Sequence, residues 1–156
     1  MANAEFYGVY THNIDPKGRA TIPSAYREAL GDGFTLGMNN QFTALALYPK
    51  TEWEAISARL SRIPDSDARG MAYARLIKAF SYVDQHLDGQ GRLLLPAKLR
   101  EKAKLDREIS FVGSGRYLEI WDEKLFDEFC AVSEANFADL MAYVDDRYFK
   151  PHEGSL

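Results

Sequence analysis

Short apolar runs bounded by turn-forming residues dominate the chain, and they predict a β-rich fold with helices set between the strands. Residues 20–22 (Ala-Thr-Ile) and 93–95 (Leu-Leu-Leu) each follow an Asp-x-x-Gly-Arg stretch, which reads as a tight turn at the mouth of a short strand. Pro23 and Pro96 stop these strands, and Ser24 is the expected cap of a helix over 25–30. After Gly31-Asp32-Gly33 come two more strand-like runs, 34–37 and 43–48, joined by Met38-Asn39-Asn40-Gln41. The runs 108–113 and 116–121, with Ser114-Gly115 between them, repeat that hairpin signal. Helices are predicted over 51–60 after Pro49, and over 123–130 after Asp122 as cap. Another helix is predicted from 68 to about 80, with Met71, Leu76, Ile77 and Phe80 on one face. Phe129, Val132, Phe137, Leu140 and Val144 mark further C-terminal helix with one apolar stripe, expected to pack against the body.

The two sets of elements are copies. Residues 13–28 (NIDPKGRATIPSAYRE) align without a gap to 86–101 (HLDGQGRLLLPAKLRE) at an offset of 73. Six of these sixteen positions are identical: Asp15/Asp88, Gly18/Gly91, Arg19/Arg92, Pro23/Pro96, Arg27/Arg100 and Glu28/Glu101. Background composition gives about one match. The same offset pairs Leu36 with Ile109, Leu45 with Leu118, Leu47 with Ile120, Tyr48 with Trp121 and Trp53 with Phe126. Each half is too small to bury a good core alone, so the halves are expected to share a barrel-like or swapped-hairpin sheet.

Composition narrows the class. Of 156 residues 46% are hydrophobic, which suits a packed domain, and no apolar run approaches the roughly 20 residues of a membrane span. The first five residues lack the pattern of a signal peptide, and Cys130 is the only cysteine, so neither a disulfide framework nor a thiolate zinc site is expected. A soluble, cytoplasmic protein is the expectation. The net charge of −4 argues against nucleic acid until its distribution is considered. Residues 119–156 carry ten acids and three bases, a charge of −7, which leaves +3 for the first 118 residues. Between positions 88 and 107 there are six bases and three acids.

The turns hold the candidate chemistry. Lys17-Gly18-Arg19 brings two cations to a turn where glycine allows close approach, and an Arg fork can grip guanine O6 and N7 or a phosphate. The alternative is a brace, with Asp15 and Asp88 simply holding Arg19 and Arg92. The two readings are compatible, because a carboxylate can hold a guanidinium in place for readout. Arg27 and Arg100 are open to phosphate contact or to an intra-repeat ion pair. Tyr10, Tyr48, Trp53 and Trp121 could be stacking platforms, though their places at strand ends favour core roles. His12 near Asp15 and His86 near Asp88 raise metal or acid–base chemistry. The histidines differ by 74 rather than 73, so they are not repeat equivalents, and no nucleophile or phosphate-loop motif appears. Neither an enzyme, a metal site nor a cofactor is expected.

With these residues in hand the sequence resembles the MraZ family of bacterial regulators. The resemblance rests on Gly8-Val9-Tyr10, the stretch Asn13-Ile14-Asp15-Pro16-Lys17-Gly18-Arg19, Ile22-Pro23, Tyr26-Arg27, Leu47-Tyr48-Pro49 and Glu52-Trp53. The second copy carries Asp88 through Arg92, Leu95-Pro96 and Glu119-Ile120-Trp121-Asp122. The resemblance implies an α+β chain of two fused AbrB-like swapped-hairpin half-domains forming one pseudo-symmetric unit. The expected domains are a first repeat over 1–60, a connecting helix over 61–81, a second repeat over 82–130 and an acidic C-terminal helix and tail over 131–156. It also implies a ring-like homo-oligomer that represses the division and cell-wall gene cluster through short G-rich direct repeats in double-stranded promoter DNA, at the nucleoid. Lys17, Gly18, Arg19 and Arg92 are then the DNA-binding residues, with Asp15 and Asp88 bracing the loops. Gln90 stands where Lys17 stands in the first copy, so the two loops need not contact DNA equally. The alternative is an AbrB-like protein–protein module or antidote, whose acidic tail would suit a basic partner.

Overall fold

The computed structural model describes residues 5–151. Two compact units divide the chain, one ending at Glu123 and the other beginning at Lys124. The first contains both repeats, with strands β1 (Val9–Asn13), β2 (Arg19–Thr21), β3 (Phe34–Met38), β4 (Leu45–Tyr48), β5 (Tyr82–Gln85), β6 (Arg92–Leu94), β7 (Glu108–Gly113) and β8 (Leu118–Asp122). Its helices are α1 (Ser24–Leu30), α2 (Lys50–Leu60), α3 (Ala68–Ala79) and α4 (Ala97–Lys102). The fold is α+β, with two tandem half-domains built in the same order.

The half-domains are interlocked. Six strands form one sheet in the order β1-β7-β8-β4-β3-β5, and β2 pairs with β6 in a separate ribbon. β1 of the first repeat therefore lies on β7 of the second, while β5 of the second lies on β3 of the first. This is the strand exchange that a swapped-hairpin fold requires. The register also locates its symmetry. Ala20 faces Leu93 in the ribbon and Ala46 faces Glu119 in the sheet, and each pair is separated by the repeat offset. A local twofold axis consequently runs through both pairs. The exchange is not perfectly symmetric, because a register irregularity between Phe34 and Leu36 interrupts β3 where it meets β5.

One core serves both repeats. Ile22, Leu30, Phe34 and Leu36 of the first pack with Leu95, Leu99, Phe111 and Ile120 of the second. Each such side chain is worth about 1.5–3 kcal/mol when buried, and dividing the chain between the repeats would expose that interface. On the sheet's axis a buried carboxylate links the hairpins. Glu119 accepts from Asn39 Nδ2 (2.9 Å), Ser114 Oγ (2.9 Å) and Trp121 Nε1 (3.0 Å). Asn39 in turn accepts from the backbone N–H groups of Thr43 and Ala44, which shapes the β3–β4 turn.

Several local expectations change. The ribbon strands begin at their arginines, one residue earlier than the apolar runs, because Arg19 and Arg92 join the ladder. Ser24 lies inside α1 rather than capping it. Pro23 takes the N-cap position without a side-chain bond, and Pro49 and Pro96 do the same for α2 and α4. Proline's fixed φ suits helix entry. On α3 Ala74 is the buried residue and Leu76 points outward; Asp67 caps this helix by accepting from Gly70 N–H. Tyr48 is buried and donates to the Met38 carbonyl (2.8 Å), a core role.

From the last residue of the first unit onward, α5 (Glu123–Ala135) runs longer than expected and is followed by α6 (Phe137–Val144) and a π-helical turn over Asp145–Phe149. The apolar stripe forms, but Phe129, Val132, Phe137, Leu140, Met141 and Tyr143 are each about half exposed or more.

Candidate nucleic-acid interface

The two Asp-x-x-Gly-Arg turns have almost the same geometry. In the first, Asp15 Oδ1 accepts from the backbone N–H groups of Lys17 (2.9 Å) and Arg19 (2.8 Å), while the Asp15 carbonyl accepts from Gly18 N–H (2.9 Å). In the second, Asp88 Oδ1 accepts from Gln90 and Arg92 N–H (2.9 Å each), and Gly91 N–H bonds the Asp88 carbonyl. Gly18 (φ 84°) and Gly91 (φ 75°) supply the left-handed backbone that closes each turn.

The same aspartates hold the arginines. Arg19 Nε lies 2.7 Å from Asp15 Oδ2 and Arg92 Nε lies 2.8 Å from Asp88 Oδ2. The backbone hydrogen bond from Arg19 is the chief cause that holds the Asp15 carboxyl below the usual carboxylate range. The backbone bond from Arg92 does the same for Asp88. Desolvation opposes both shifts. The brace and the partly exposed cation are thus parts of one arrangement. Each aspartate occupies the Nε edge of its arginine, and among the described residues no hydrogen bond engages the terminal amino groups.

The ribbon decides which way these arginines face. Ala20 and Leu93 are buried beneath it, so the alternation of a strand places Arg19, Thr21, Arg92 and Leu94 together on its outer face. Arg19 opposes Leu94 and Arg92 opposes Thr21, which sets the arginines on a diagonal. Such diagonal neighbours are about 7–8 Å apart at the backbone. Lys17 is exposed at the first turn, where the second carries neutral Gln90. Arg19 is therefore part of a strand rather than the tip of a turn, and its side chain is 29% exposed.

The other candidates lie elsewhere. His86 sits between Asp32 (3.4 Å) and Asp84 (3.3 Å) on the surface, and the His12 ring meets Phe111 edge-on. Among the described residues neither Asp15 nor Asp88 engages a histidine. Tyr10 packs edge-on against Tyr26 (ring centroids 5.2 Å apart), and Trp53 packs against Tyr48 (5.8 Å). Trp121 is half-buried and bonds Glu119. Burial raises the Cys130 thiol's pKa, helped by Glu134 and Asp127.

A family model described as MraZ protein, antitoxin-like, matches residues 6–75 and 82–147. The chain belongs to the MraZ family. Proteins named transcriptional regulator MraZ match most of its length. That of Desulforamulus reducens is 40% identical over 144 residues, covering 90% of this chain and 98% of its own. The Thermoanaerobacter sp. (strain X514) protein is 36% identical over 141 residues, with 89% and 96% coverage. The Mycobacterium ulcerans protein is 38% identical over 133 residues, with 85% and 92% coverage. The two stretches matched by the family model follow the two repeats, and both Asp-x-x-Gly-Arg turns fall inside them. In this MraZ-family chain Thr21 and Leu94 are the neighbours of the two arginines on the outer ribbon face that sequence reasoning missed. The offset of 73 pairs them as equivalents, yet it does not show that both turn outward beside the arginines.

Proposed function

We propose that the chain is a sequence-specific DNA-binding transcriptional repressor that inserts the β2–β6 ribbon into the major groove. The observation that carries this reading is the outer ribbon face, where two arginines are each held at Nε by an aspartate, with their terminal amino groups free of hydrogen bonds among the described residues. The major groove is wide enough for a two-stranded ribbon, and a guanidinium can bond guanine O6 and N7 at once. A diagonal of about 7–8 Å corresponds to roughly two base-pair steps, which suits short G-rich sites. Lys17 supplies phosphate contact beside the first turn, Gly18, itself buried, closes that turn with its left-handed backbone and so presents Lys17 and Arg19, and Asp15 and Asp88 brace the turns.

One ribbon spans only a few base pairs, whereas specific protein–DNA interfaces bury about 1,000 Å² or more of protein surface. A ring-like homo-oligomer would multiply the contact and favour evenly spaced direct repeats, as in the promoter of a division and cell-wall gene cluster. The exposed apolar side chains of α5 and α6 support assembly, since such stripes are costly in water. That same stripe, within an acidic segment, also favours a second reading, a module that binds a basic protein partner. A mobility shift on promoter DNA from the protein's own gene cluster, at two salt concentrations, separates the two. Salt-sensitive retardation supports the repressor, and no retardation at either concentration overturns it.

A further inference from the structure

Arg27 and Arg100, equivalent across the repeat, form no ion pair among the described residues. Each instead donates from Nε to the carbonyl of the residue preceding its own repeat's proline. Arg27 bonds Ile22 O (2.8 Å) and Arg100 bonds Leu95 O (3.0 Å). From that anchor each guanidinium reaches the turn of the other repeat. A Cβ placed on Gly18 would stand 3.0 Å from Arg100 Nη2 and 3.1 Å from its Cζ. A Cβ on Gly91 would overlap the Arg27 guanidinium at Cζ and Nε. The backbone crosses in the same sense. Leu95 N–H donates to Gly18 O and Ile22 N–H donates to Gly91 O, each at 2.9 Å.

The aspartate bonds described above lie entirely within each turn. They set its shape and leave its orientation against the other strand undetermined. Orientation comes from the β2–β6 ladder and, at the turn itself, from the crossing contacts, a strand N–H on the glycine carbonyl and a guanidinium against the glycine. Any side chain at Gly18 or Gly91 would meet both a positive φ and an arginine of the opposite repeat.

We propose that Arg27 and Arg100 are positioning residues with crossed assignments. Arg100, in the second repeat, holds the first-repeat turn that carries Lys17 and Arg19. Arg27, in the first repeat, holds the second-repeat turn that carries Gln90 and Arg92. The two turns thereby become one rigid pair, and the spacing between Arg19 and Arg92 is set by contacts that neither repeat can make alone. Lysine cannot substitute, because it lacks both the Nε donor and the plane that lies on glycine. The role in DNA readout rests on the function proposed above, while the crossed clamp itself does not.

The test uses the full chain with Arg27→Lys and Arg100→Lys, or Arg27→Gln and Arg100→Gln where a lysine variant fails to fold. Amide hydrogen exchange and backbone chemical shifts are recorded without DNA. Arg100 variants should speed exchange and shift resonances at 15–19, and Arg27 variants at 88–92. Effects confined to each arginine's own repeat, or absent from both turns, overturn the proposal. Binding to promoter DNA is then read in double-mutant cycles. Arg100 should couple with Arg19, and Arg27 with Arg92, by about threefold or more in Kd, while Arg27 with Arg19 is additive. If the parent binds no DNA but the exchange pattern is crossed, the clamp stands and the DNA reading fails. Additive cycles in a parent that binds DNA overturn the positioning role.

Discussion

Replacing Arg19 by alanine separates a reading side chain from a structural brace. The Asp15 turn keeps its bonds from the Lys17 and Arg19 backbone N–H groups, neither of which involves the arginine side chain. Ala20 and the core beneath the ribbon are untouched, so Arg19→Ala is expected to fold and melt close to the parent. The loss falls on DNA. With Nε committed to Asp15 at 2.7 Å, only the terminal amino groups remain for a base. A bidentate contact to guanine is worth about 1–3 kcal/mol, or roughly 5- to 150-fold in Kd for each site engaged. An oligomer spanning several repeats compounds that factor, so specific binding should disappear. Arg19→Lys restores the charge without the fork, and it should recover binding to any duplex but not the preference for guanine. Fluorescence anisotropy on the promoter repeat, and on the same duplex with its guanines replaced, reads both effects, with a circular dichroism melt as the folding control. Arg92→Ala is the internal comparison and should cost less, since Gln90 gives its turn less positive charge than Lys17 gives the first. A folded Arg19→Ala chain that binds the promoter like the parent would refute the assignment and leave the Asp15–Arg19 pair as a brace alone.

Lys17→Ala should weaken binding about evenly across sequences and lower the slope of log K against log salt by about 1, measured by anisotropy at several ionic strengths. Because the carboxyls of Asp15 and Asp88 are held below the ordinary 3.8, their contribution to stability is present above that value and is lost as pH falls through the lower folded-state pKa. Asp15→Asn with Asp88→Asn should therefore flatten the acid limb of the stability curve below about pH 4 in denaturant melts at stepped pH. Glu119→Gln turns one acceptor at the buried junction into a donor facing donors and should cost about 1–3 kcal/mol, a fall of several degrees in Tm by calorimetry. Truncation after Asp145 removes two acids (Asp146, Glu153) and two bases (Arg147, Lys150), no net charge, and should leave promoter affinity unchanged, whereas a marked loss would place the tail in the binding surface.

The repeat, its offset and both turns were legible because each is local. Asp, Gly and Arg at fixed spacing specify a turn within five residues, and Pro23 and Pro96 mark where the strand ends. The hairpins β3–β4 and β7–β8 were equally plain, since their apolar runs are buried along almost their whole length. β1 escaped notice because every residue in it is exposed, leaving no alternation to read, and β5 is little better. Their place in the sheet is decided by distant partners: Val9 lies against Val112, and Tyr82 against Leu36. An offset of 73 says that two residues are equivalent, which differs from saying that they touch. Only the strand exchange brings Ala20 onto Leu93, turns Thr21 and Leu94 outward beside the arginines, and lays Arg27 and Arg100 on glycines of the opposite repeat. Local chemistry shapes each turn, and chain topology sets which two turns act together.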